Sequence, residues 1–256
     1  ALEGYERLAV MRECPEFGYT LGQLYRHGEE LPGNPVARDI PRARELILAM
    51  AEDGYLPAFA DLAEFMMRHG EPREAMLWTQ VYLYFAKTVQ RPDLNANQAQ
   101  FMRSAYNGHL LTRAEVVWKW QKPAVPRKRV IEDLNAYLSE HGEAVGRRML
   151  ERQEGRHRRA SAQDGAIPRV VANVDDCRLN LDRRYGAATG SWIVEVLPSG
   201  EIGRIVLENF VPRVSFVEGL RECLVRYRFE PFSGDAPATK RLSLMYGSPE
   251  GAAFRR

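Results

Sequence analysis

The sequence predicts two domains: an all-α helical-repeat solenoid over residues 1–154, then a small α+β domain over 167–250, joined by a linker at 155–166. Three observations predict this. The tetrapeptide Arg26-His27-Gly28-Glu29 returns as Arg68-His69-Gly70-Glu71, 42 residues on, and periods of about 34–47 residues belong to helical repeat architectures. The stretch Gly155–Gly165 is polar and small, as linkers are. Beyond Ile167 the apolar residues alternate instead of recurring at helical spacing.

Within the repeat region, Leu21 to Glu29 reads as the first helix. Ala43, Leu46, Ile47, Met50 and Ala51 form one helical face, with Asp39 and Pro41 placed as N-cap and first-turn proline and Gly54 as the stop. After Pro57 a second face follows: Ala58, Phe59, Leu62, Phe65 and Met66. Pro72 opens the next helix, carrying Ala75, Trp78, Tyr82 and Ala86. Further helices are expected over Gln98–Leu110, after a capping box at Thr112–Glu115, and from Arg127 to a stop at His141-Gly142. In the second half, a short strand is expected near Val170. A hairpin follows, of Ser191–Leu197 and Ile202–Phe210 about a turn at Pro198–Glu201. A helix capped at Ser215 and a last strand, Thr239–Tyr246, complete the domain.

Composition excludes several classes. Apolar residues at 45% and charged residues at 27% are ordinary for a globular chain. A net charge of +2 is too small to make nucleic acid the main partner. Ten Lys/Arg against six Asp/Glu between Lys122 and Ala160 leave room for peripheral contact with an anionic membrane or wall polymer. The start at alanine fits removal of a signal peptide or a trimmed chain, and a periplasmic location is the expectation, with the cytoplasm as alternative.

The segment Ala43–Glu71 resembles Sel1-like repeats, relatives of the tetratricopeptide repeat. Ala43, Ala51, Gly54, Ala58 and Leu62 hold the pattern's places; Ala75 and Trp78 restart it; Gly22, Tyr25 and Gly28 match its tail. Leu46 and Ile47 stand where that family has an aromatic pair, and Ala63 replaces a glycine. The resemblance implies small residues at close helix contacts and Gly28, Gly54 and Gly70 at helix ends.

The second half, with Gly190, Gly200, Arg226-Tyr227-Arg228-Phe229 and Pro231, resembles the C-terminal domain of TonB-family proteins. Its AgmX/PglI-type branch carries cysteines where Cys177 and Cys223 stand. That resemblance implies a Cys177–Cys223 disulfide, worth about 3–4 kcal/mol in the chain-entropy model; two reduced buried thiols are the alternative.

No motif of metal or nucleophilic catalysis is found. His27, His69 and His141 each precede a glycine and read as helix-end residues, where a protonated imidazole suits the dipole. No cofactor or metal and no enzymatic activity is expected. The function expected is an envelope adaptor that binds a protein or extended peptide. Trp78, Tyr82 and Tyr84 are candidates for a repeat groove, and Phe229, Leu242, Leu244 and Tyr246 for an edge that accepts an added strand. Action on cell-wall or β-lactam-like ligands and a cytoplasmic signalling scaffold are the alternatives.

Overall fold

The computed structural model describes residues 16–34, 36–90, 117–118, 121, 124–162, 170–172, 187–211 and 214–247. The chain divides into two compact units, with the main boundary between Arg158 and Arg159. The helices expected over Gln98–Leu110 and at the Thr112–Glu115 cap lie outside the described residues.

The first unit is helical. Helix α1 (Glu16–His27) runs into a short 3-10 turn, and α2 (Ile40–Glu52), α3 (Leu56–Arg68) and α4 (Pro72–Phe85) follow through short connections. The Asp39 side chain accepts the Arg42 backbone N–H at 3.0 Å, which satisfies one of the orphan donors at the α2 N-terminus. Gly28 turns the chain at φ +52°, and a Cβ there would meet Arg38 Cβ at 2.5 Å. Gly70 sits at φ +73°. Gly22 lies inside α1, where a Cβ would stand 2.9 Å from Ile47 Cγ1, so its hydrogen lets α1 approach α2. Ala43, Ala51, Ala58 and Ala75 are fully buried at the helix contacts. Helix α3 is the hub: eleven of its residues are buried, from Leu56 to Met66.

Helix α5 (Arg127–Ala162) corrects two expectations. The chain does not stop at His141-Gly142, and the stretch read as linker is helical as far as Ala162. A glycine inside a helix costs about 1 kcal/mol against alanine. The apolar stripe offsets this by resuming past it: Val130, Leu134, Tyr137, Leu138, Val145 and Met149 all face apolar clusters of the unit. Two arginines of α5 hold the end of α2. Arg148 Nη1 donates to the Glu52 carbonyl at 2.7 Å, and Arg152 Nε to the Asp53 carbonyl at 2.6 Å, placing cations at the negative helix terminus. Arg73 and Asp133 join α4 to α5 by two hydrogen bonds of 2.7 Å. The expected Val-Val-Trp helix is described only at Val117, buried, and Trp118, packed on Met76 and Val130.

The second unit is α+β. Strands β2 (Ala187–Val196) and β3 (Ile202–Val211) form the hairpin, α6 (Val214–Leu224) packs on both, and β5 (Ala238–Gly247) pairs with β2. The sheet order is β3-β2-β5, all antiparallel; β1 (Val170–Ala172) pairs separately with β4 (Arg228–Phe229). Trp192, Val194 and Val196 alternate as buried residues along β2, with Val217, Leu220 and Leu224 buried on α6. The helix begins at Val214, one residue before Ser215, so Ser215 is not its cap. The Arg-aromatic-Arg-Phe segment has a visible task. Phe229 is buried, its N–H donates to the Gly200 carbonyl at 2.9 Å, and Phe232 N–H donates to Pro198 O at 3.1 Å. The segment thereby straps the hairpin turn, where Gly200 has φ +85° and any Cβ would overlap the Phe229 carbonyl.

Candidate functional site

The three histidines are not brought together. His27 ends α1 and is buried. His69 caps α3 with its ring 4.6 Å from Phe65, and burial, then the Arg38 and Arg26 charges, pushes its pKa down. That runs against the protonated reading of this helix end, because burial and the neighbouring guanidiniums both disfavour the imidazolium. His141 lies inside α5, its ring 5.0 Å from Tyr137. Among the described residues no group of three or more His, Cys, Asp or Glu could hold a metal ion.

A different cluster is concentrated between α1 and α3. The Tyr19 hydroxyl donates to Asp61 Oδ2, and Gln23 Nε2 donates to the same oxygen at 3.0 Å. Arg26 reaches Asp61 Oδ1 at 3.2 Å and Glu64 Oε2 at 2.7 Å. Arg68 Nε donates to the other Glu64 oxygen at 2.8 Å. Asp61 and Glu64 are at most 1% exposed and Arg26 4%, so no substrate reaches them in this conformation. The sequence did hold a signal for this seam: Asp61 and Glu64 interrupt an otherwise apolar run in α3, and charges on so apolar a helix require partners if it is buried.

The candidate groove aromatics are core. Trp78 and Tyr82 are buried, with Trp78 5.9 Å from Phe59 and 5.3 Å from Tyr137, ring to ring. Their helical spacing fitted a groove and a core equally; the closing of α5 over them decided it. Burial, with Glu52 nearby, raises the Tyr137 phenol well above its ordinary value. Tyr84 alone of the three is exposed, edge-on to Phe85.

In the second unit, Phe229 is likewise core, with Lys240 Nζ 5.2 Å over its ring and the lysine pKa lowered by burial. Strand β5 is paired with β2 along all its ten residues, Leu242 opposite Trp192 and Leu244 opposite Gly190. Both leucines are half-buried. Tyr246 pairs with Ala188. Among the described residues no strand pairs with the other side of β5. The opposite face holds a bidentate Arg241–Glu208 pair at 2.6 and 2.7 Å and a Ser191–Ser243 contact at 3.2 Å. Glu208 is the extra residue of a bulge, since Trp192 pairs with Leu207 and Ser191 with Asn209. Cys223 is buried in α6; Cys177 lies outside the described residues.

Comparison of the chain with protein-family models, with curated proteins and with solved structures finds no match. Among the described residues no helix is long and apolar enough to cross a membrane.

Proposed function

We propose that this chain is a non-enzymatic interaction protein of the cell envelope, a Sel1-like helical-repeat unit followed by a TonB-like α+β unit, whose strand β5 accepts an extended segment of a partner protein. The observation that carries the reading is β5: ten residues paired with β2 on one side, with alternate backbone N–H and C=O groups directed to the other. Main-chain pairing there supplies affinity, and the half-buried Leu242 and Leu244 supply side-chain selection. The burial of Trp78, Tyr82 and Phe229 moves the binding role away from them and onto β5 and Tyr84.

The Cys177–Cys223 pairing belongs to the same reading. It is supported by the burial of Cys223 in α6; structural disulfides persist in oxidising compartments, in keeping with export.

The test is affinity capture from envelope extract with the full chain and with Leu242→Lys/Leu244→Lys, fold checked by circular dichroism. Capture of a partner by the parent chain and its loss in the variant is expected. Equal capture by both removes β5 from the account.

A further inference from the structure

The repeated Arg-His-Gly-Glu ends make α1 and α3 equivalents, 42 positions apart. Equivalent helices of a repeat array invite two errors: α1 can dock where an equivalent helix belongs, and copies of the chain can exchange helices. The seam between α1 and α3 is built against both. On α1 the seam residues act as donors toward α3: the Tyr19 hydroxyl, the Gln23 amide and the Arg26 guanidinium. On α3 both carboxylates, Asp61 and Glu64, accept, and the 42-residue equivalents of these two positions on α1 are Tyr19 and Gly22. Pairing α1 with a second α1 buries two Arg26 guanidiniums with no carboxylate to receive them; pairing α3 with a second α3 buries four carboxylates together. All four carboxylate oxygens of the correct pair are engaged. A slide of α1 by one turn, about 5.4 Å, breaks every one of its bonds to α3. Its contact with α2 is the broader one but apolar, with Gly22 set against the side chains of Ile47 and Leu46, so the polar selection of α1 lies in the seam with α3.

We propose that this seam is a partner-selecting lock: its role is to admit α3, and no equivalent helix, as the neighbour of α1. Buried ion pairs add little net stability over apolar packing of the same volume, whereas removing one partner strands a charge. The lock therefore separates from a simple stability element by experiment.

Two variants of the full chain decide it. Arg26→Met leaves the Asp61 charge with neutral donors only and Glu64 with Arg68 alone. The combined variant Tyr19→Phe, Gln23→Leu, Arg26→Met, Asp61→Leu and Glu64→Met replaces the seam with apolar groups. Expected for Arg26→Met is a clear fall in Tm. Expected for the combined variant is a Tm within a few degrees of the parent, with amide exchange in α1 accelerated at least tenfold relative to α4, and concentration-dependent oligomers in sedimentation velocity. Two results overturn the proposal: parent-like α1 exchange with a monodisperse profile in the combined variant, or a combined variant that melts as low as Arg26→Met or fails to fold.

Discussion

Replacing Gly54 and Gly70 by alanine measures what the docking of α5 contributes to the helical unit. Both glycines have positive φ, +80° and +73°, and an L-residue in that region costs about 1–2 kcal/mol. Their surroundings differ. A Cβ on Gly70 meets nothing within 4 Å. A Cβ on Gly54 stands 2.7 Å from the Met149 backbone N and 2.9 Å from the Arg148 carbonyl carbon, and backbone cannot rotate away as a side chain can. Helix α5 must therefore lift. Lifting exposes Met149 and Val145, now 0% and 2% accessible, and loosens the Arg148 and Arg152 bonds to the end of α2. Full exposure of one such side chain costs about 1.5–3 kcal/mol. The expected loss is about 1–2 kcal/mol for Gly70→Ala and about 2.5–5 kcal/mol for Gly54→Ala, by adding that exposure to the same backbone cost. Urea denaturation followed by helical circular dichroism reads both. Equal losses at the two sites would refute the reasoning, because they would mean that α5 contributes nothing at Gly54.

Other outcomes follow from the same geometry. Gly200→Ala is expected to unfold the second unit selectively, with loss of Trp192 burial seen as a red shift of its fluorescence, because the new methyl overlaps the Phe229 carbonyl. Arg241→Ala leaves Glu208, 4% exposed, without its bidentate partner and is expected to cost about 3–5 kcal/mol in denaturant titration, whereas Arg42→Ala at the exposed Arg42–Glu45 pair costs under about 1 kcal/mol. His69 has a pKa below 6.5 in the folded chain, so the unfolded chain binds the proton first as pH falls. Its contribution is complete above pH 6.5 and is lost as pH falls toward the lowered value; His69→Gln should flatten the stability–pH slope there, read by thermal melts from pH 5 to 7.5.

Among the described residues, α2, α3 and α4 are legible from apolar spacing and breakers. Asp39, Pro41 and Gly54 frame α2 as written in the chain, and the Gly-containing turn at Pro198–Glu201 frames the hairpin. Gly142 misled because a glycine stop signal competes with packing: Val145 and Met149 lie one and two turns beyond it, and their burial holds the helix together. The aromatic face of α4 could not be assigned from α4 alone, since whether Trp78 and Tyr82 are covered depends on α5, about 60 residues away in sequence. The α1–α3 seam escaped notice for a related reason. Arg26 read as part of a repeated helix end, and only the fold brings it to Asp61 and Glu64.

The most direct measurement of the central claim is site-specific photo-cross-linking in cells, with the cross-linker placed at Leu244 on β5 or at the exposed Val206 on β3, the opposite edge strand of the same sheet. An adduct to a partner protein from Leu244 and none from Val206 is the predicted result. No adduct from Leu244, or adducts of equal yield from both strands, would contradict it.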